Sequence, residues 1–154
     1  MTEILKSVSR RQVMIGAGAG IAAVALMPAV AFATPDKVAE EIKKLYGDKA
    51  LKDGKIKLDL PSIAENGLVV PLNFEVESPM TATDYVKAVH LFADGNPSVG
   101  LASFKFSPMA PKAAAQIRIR LAKTQNIVAV AEMSNGDLYT TKKEVKVTIG
   151  GCGG

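Results

Sequence analysis

One thiol is available to this chain, and it sits among glycines. Cys152 is the only cysteine in 154 residues, within the closing run Gly150-Gly151-Cys152-Gly153-Gly154. Glycine leaves the backbone almost unrestricted and gives the thiol no side-chain wall. Terminal segments of this kind are ordinarily mobile. A chain spans at most about 3.6 Å per residue, so Cys152 is expected to reach roughly 10 Å beyond Ile149. Such a tether is a poor frame for a preorganised active site. It suits a group that is held covalently and handed between partners.

Composition narrows what the thiol can do. No core forms from four glycines, and a single cysteine cannot make a disulfide within its own chain. Structural zinc takes about four ligands, and the only other soft ligand is His90, so no metal is expected. Prenylation needs three residues after the cysteine, whereas two follow Cys152. In an exported protein an odd cysteine is a free reactive thiol or an intermolecular bridge.

Export is written at the other end of the chain. Ser9-Arg10-Arg11-Gln12-Val13-Met14 reads as a twin-arginine signature, with Val13 a mild departure from the larger apolar residue preferred there. An apolar, Gly- and Ala-rich run follows to Val30, and Ala31-Phe32-Ala33 is a small-x-small cleavage site. The expectation is a signal over residues 1–33, cut between Ala33 and Thr34. The run is near the lower limit for spanning a bilayer and is broken by glycines and Pro28, so no membrane association is expected after cleavage. Gly16, Gly18 and Gly20 imitate a phosphate-binding loop but have no strand ahead of them. The twin-arginine route exports folded proteins. With no cofactor of its own expected, folded export points to assembly with a partner that lacks a signal.

Removal of residues 1–33 lowers Lys+Arg from 19 to 16 and Asp+Glu from 15 to 14, taking the net charge from +4 to +2. That charge, with no basic cluster or aromatic platform, argues against nucleic acid. The remaining length is enough for one domain with a real core.

The thiol needs a rigid body behind it, and the periodicity supplies one. Thr34 can cap a helix, Pro35 suits its first position, and Val38, Ile42, Leu45 and Tyr46 recur at helical spacing before Gly47 stops it. From Ile56 the period changes to two. Ile56, Leu58 and Leu60; Leu68, Val70, Leu72, Phe74 and Val76; Ala113, Ala115, Ile117, Ile119 and Leu121; and Val145, Val147 and Ile149 alternate mostly with polar residues. Further strands are expected over Tyr85–Ala93, Gly100–Phe106, Ile127–Met133 and Leu138–Thr141, with Asn66-Gly67, Asp94-Gly95-Asn96-Pro97 and Ser134-Asn135-Gly136-Asp137 as turns. Seven or eight short strands at this spacing predict an all-β, immunoglobulin-like antiparallel sandwich over residues 34–149, with one N-terminal helix and a flexible arm over 150–154. His90 reads as a strand residue rather than a base, and Arg118 and Arg120 as one solvated or interfacial face.

Five segments carry a family resemblance: Glu65-Asn66-Gly67, Glu77-Ser78-Pro79-Met80-Thr81, Val89-His90-Leu91-Phe92-Ala93, Ala131-Glu132-Met133-Ser134 and the terminal Gly-Gly-Cys-Gly-Gly. Together they resemble SoxY, the sulfur-carrier subunit of the thiosulfate-oxidising Sox system, over essentially the whole mature chain. The resemblance implies a periplasmic, non-catalytic carrier that is a heterodimer with a SoxZ subunit. It implies that Cys152 holds pathway intermediates covalently and that Gly150, Gly151, Gly153 and Gly154 form its arm. A haem-containing enzyme would join thiosulfate to the thiol, a hydrolase would release sulfate, and a sulfane dehydrogenase, where present, would oxidise the remaining sulfur. Two rival readings stand beside it. Ubiquitin-like sulfur carriers use a C-terminal Gly-Gly as a thiocarboxylate, and Gly153-Gly154 would serve. Alternatively, an exported assembly or adhesion domain would use Cys152 only to crosslink chains.

Overall fold

The computed structural model describes residues 31–151. One helix, α1 (Pro35–Tyr46), precedes nine strands: β1 (Leu51–Asp53), β2 (Ile56–Asp59), β3 (Ile63–Asn66), β4 (Val70–Val76), β5 (Val86–Ala93), β6 (Gly100–Lys105), β7 (Ala113–Ile119), β8 (Gln125–Met133) and β9 (Leu138–Ile149).

The helix begins and ends where its caps dictate. The Thr34 hydroxyl accepts from the Lys37 N–H at 3.4 Å, Pro35 sits in the first turn, and Asp36 there complements the helix dipole. Gly47, at φ +71°, closes the last turn by donating its N–H to the Lys43 carbonyl. Val38, Ile42 and Tyr46 form the buried stripe, packed on Phe92, Val128 and Val130. Leu45, expected in that stripe, lies to one side of it and stays exposed.

The strands form two sheets. The larger runs β1-β9-β8-β5-β6, with β3 also on β9; the smaller runs β2-β4-β7. On β4 the alternation read from the sequence holds: Val70, Leu72, Phe74 and Val76 are buried, whereas Pro71 and Glu75 are exposed. They share one core with Val86, Val89, Leu91 and Ala93 of β5 and Ile127, Ala129, Ala131 and Met133 of β8. Strands β5 and β8 are buried on both faces because α1 covers their outer side, where Phe92 and Val130 lie. This is the expected immunoglobulin-like sandwich with an N-terminal helix.

Two departures concern the last strand. Leu138–Thr141 and Val145–Ile149 are not separate: β9 runs unbroken for 12 residues, with Lys142 and Lys143 paired to Val128 and Ile127. Strands β1 and β3, absent from the sequence reading, pair parallel to its two ends, Leu51 opposite Leu138 and Asn66 opposite Ile149. Strand β3 continues the sheet where β8 stops at Val145, and so supports the segment leading toward Cys152.

Candidate functional site

Cys152, Gly153 and Gly154, and the paired Arg10 and Arg11, lie outside the described residues. The structure bears instead on what holds the chain immediately before the thiol.

Three backbone segments meet there. Gly67, in the β3–β4 turn, donates its N–H to the Ile149 carbonyl at 2.8 Å. Its own carbonyl accepts from the Leu121 N–H at 2.8 Å, and the Leu121 carbonyl accepts from the Gly151 N–H at 2.9 Å. These contacts leave no room for side chains. A Cβ on Gly67 would stand 2.2 Å from the Leu121 carbonyl oxygen and 2.8 Å from the Gly151 nitrogen. A Cβ on Gly150 would stand 2.1 Å from the Ala122 oxygen, and one on Gly151 would come within 3.0–3.1 Å of the Gly67–Leu68 backbone.

Gly150 and Gly151 therefore depart from their expected role as the first soft residues of the arm. Glycine in a terminal run ordinarily means freedom. Here its missing Cβ permits close approach of one backbone to another, and Gly151 is buried. Gly150 and Gly151 belong to a built junction.

Polar side chains brace the junction from behind. Asn96 is buried; its amide donates to the Arg120 carbonyl at 2.8 Å, and its side-chain oxygen accepts from the Ala122 N–H at 2.9 Å. Those two residues bracket Leu121. The Gln125 amide donates to the same Asn96 oxygen at 2.7 Å, while the Gln125 oxygen accepts from the Gly95 N–H at 2.9 Å. A buried polar network of this kind rigidifies its surroundings when its members are satisfied. Gly67, Asn96, Leu121, Ala122 and Gln125 were missed by sequence reasoning. Asn66-Gly67 and Gly95-Asn96 showed only as turns, and nothing in a pattern of types indicates that two turns and a strand end converge.

The expected cleavage position is also ordered. The Ala33 N–H donates to the Asn96 carbonyl at 2.7 Å, and Ala33 is buried. Thr34 is the helix cap. The Lys123 ammonium lies 4.8 Å from the centroid of the Phe32 ring.

His90 is elsewhere, under the C-terminal end of α1. Its Nδ1 is 2.8 Å from the Ser103 hydroxyl, and its ring meets Tyr46 edge-on at 5.8 Å and stacks near Phe92 at 6.3 Å. Burial holds its pKa below the ordinary histidine value; Glu132 opposes the shift and Lys105 reinforces it. The Tyr46 hydroxyl beside it is pushed up to about 12 by burial, with Glu132 adding to the rise. These are the marks of a packing residue. Arg118, on β7, and Arg120, just beyond it, are both exposed. Among the described residues no group of three or more His, Cys, Asp or Glu side chains could hold a metal.

The His90 environment predicts a pH effect on stability. The unfolded ring takes up its proton near pH 6.5, whereas the folded ring resists until lower pH. Its contribution is thus complete above that value and shrinks as pH falls toward the folded pKa. Between pH 7 and 5 the thermal midpoint should drop more for the natural protein than for His90→Asn. The excess should be a few degrees at most, since the ring is partly solvated. Parallel pH profiles in thermal melts would refute it.

Comparison with known proteins places this geometry in context. The family model for sulfur oxidation protein SoxY matches residues 42–152, a range that ends on the cysteine. The solved structure of the sulfur carrier protein SoxY from Chlorobium limicola f thiosulfatophilum is 32% identical, with a TM-score of 0.64, and the match covers 75% of this chain and 100% of that one. A superoxide reductase (neelaredoxin) from Ignicoccus hospitalis is 21% identical, covering 75% of this chain and 94% of that one at a TM-score of 0.55. A putative superoxide reductase from Thermotoga maritima is 15% identical, covering 63% and 93% at a TM-score of 0.55. The last two likenesses show the fold alone. No curated protein matches the chain.

Proposed function

Since the chain belongs to the SoxY family and is thereby a sulfur carrier of sulfur oxidation, we propose that it is a periplasmic carrier that holds thiosulfate-derived sulfur covalently on Cys152. The observation that carries this reading is the family match running through residue 152, the position of the only thiol in the chain. The junction at Gly67, Leu121 and Gly151 supports it, because it anchors the backbone one residue before Cys152.

The thiol and thiosulfate join through a new S–S bond; the thiol proton is lost and two electrons pass to a haem-containing enzyme and its oxidised acceptor. A hydrolase then adds water to the terminal sulfone, releasing sulfate and two protons and leaving a persulfide anion on Cys152. A sulfane dehydrogenase, where present, oxidises that remaining sulfur. The carrier contributes attachment, since a thiolate forms and exchanges S–S bonds readily. Activation of the thiol is assigned to the enzymes the carrier visits. The chain needs no resident cofactor for this role.

Labelled thiosulfate tests the reading in a system reconstituted with the haem enzyme and the hydrolase. Label in the sulfane sulfur should stay on Cys152 through the hydrolytic step, and label in the sulfone sulfur should leave as sulfate. Retention of neither label on the protein would refute covalent carriage.

We further infer that the protein is exported folded, in a heterodimer with a SoxZ-like subunit that lacks a signal. The paired Arg10 and Arg11 and the small-x-small site ending at Ala33 motivate this. Changing Arg10→Lys together with Arg11→Lys should leave both proteins in the cytoplasm, as read by fractionation and immunoblot. Recovery of the partner subunit in the periplasm would contradict joint export.

A further inference from the structure

The residues just ahead of α1 are built into the domain. Ala33 is 3% exposed, and its N–H donates to the Asn96 carbonyl at 2.7 Å. The Lys37 ammonium donates to the Phe32 carbonyl at 3.2 Å, and the Lys123 ammonium stands 4.8 Å from the Phe32 ring centroid, within cation–π reach. Thr34 is occupied as the helix cap. Its carbonyl accepts from the Val38 N–H at 3.1 Å and its hydroxyl from the Lys37 N–H at 3.4 Å. The bond between Ala33 and Thr34 therefore joins a buried residue to a helix cap.

Proteolysis concentrates where backbone is exposed and free of hydrogen bonds, and a cut inside a folded segment waits on its opening. A protein exported folded offers its processing enzyme the Ala33–Thr34 bond in its least accessible form. The sequence holds a second small-x-small run two residues earlier, Ala29-Val30-Ala31, which satisfies the same rule, and it ends on an exposed residue. We propose that the signal is removed between Ala31 and Phe32, so that the mature chain begins at Phe32; this rests on the export reading. Hydrolysis there consumes one water and breaks the bond from the Ala31 carbonyl to the Phe32 nitrogen. A carboxylate leaves with the signal and an ammonium remains on the domain. Electrostatics favour the same bond. An ammonium on Thr34 would sit at the positive end of the α1 dipole, whereas on Phe32 it lies two residues upstream of the cap. Phe32 and Ala33 then remain as the first residues of the domain, with Ala33 seated on the same Asn96 that holds Ala122.

N-terminal sequencing of the protein purified from the periplasm tests the position. The expected start is Phe32-Ala33-Thr34-Pro35. A chain starting at Thr34, or at any other residue past Met1, overturns the proposal and leaves export intact. A chain still carrying Met1 overturns export itself. Thermal melts supply a check that needs no export. Chains of residues 32–154 and 34–154, each freed from a tag cut flush at its first residue, differ only in Phe32 and Ala33. The longer chain should melt about 3–6 °C higher, because it keeps the Ala33 hydrogen bond to Asn96 and the buried Ala33 methyl. Equal midpoints would show that the two residues are no part of the domain and would overturn the proposal.

Discussion

Cys152→Ser is expected to end sulfur loading completely while leaving the fold untouched. The chain has no second thiol that could accept a sulfur atom. Serine is nearly isosteric but cannot form an S–S bond, so the loss is one of chemistry rather than shape. Turnover with thiosulfate should fall to the level of a reaction without carrier. The core of the described domain closes without residue 152, since its buried apolar side chains run from Ala33 to Val145. Thermal midpoint and partner-subunit affinity should accordingly match the natural protein within a few degrees and about twofold. Residual carrier-dependent turnover would refute the assignment of Cys152.

Gly67→Ala should destabilise the domain strongly. The added Cβ would stand 2.2 Å from one backbone oxygen and 2.8 Å from a backbone nitrogen, and neither atom can rotate away. Three segments must shift, and the hydrogen bonds Gly67 to Ile149, Leu121 to Gly67 and Gly151 to Leu121 are all at risk. Overpacking of this kind costs about 1–3 kcal/mol. The thermal midpoint should therefore fall by about 5 °C or more. Displacing the root also misplaces the thiol, so kcat/KM with the haem enzyme should drop on the order of 10–100-fold. Iodoacetamide, which needs no docking, should still react. A variant with natural stability and natural turnover would show that the junction does not govern delivery.

The fold was legible where side-chain pattern decides it. Val70, Leu72, Phe74 and Val76 alternate cleanly because β4 has one wet face, and the caps of α1 could be named from Thr34, Pro35 and Gly47. The pattern failed where pairing partners decide. Strands β1 and β3 are three and four residues long and largely exposed, so no periodicity marks them; they exist because β9 offers an edge. The expected run ended at Thr141 and the next alternation began at Val145, whereas β8 holds the intervening Lys142 and Lys143 in register.

The site was half legible. Residue types singled out Cys152, since a lone thiol among glycines has few other uses. They could not distinguish glycine that is loose from glycine that is tightly approached. Only the positions of Leu121 and Ala122 reveal that Gly150 and Gly151 belong to the second kind. The same contacts explain why Asn96, read as a turn residue, matters: it fixes both neighbours of Leu121.

The most direct measurement is the intact mass of the protein purified from the periplasm of thiosulfate-grown cells, before and after reductant, with the modified peptide mapped. The account predicts added sulfur species on the peptide containing Cys152, removed by reductant to leave the bare mature chain. Unmodified thiol or a plain disulfide-linked dimer as the only forms would contradict it, as would sulfur carried on the Gly154 carboxyl.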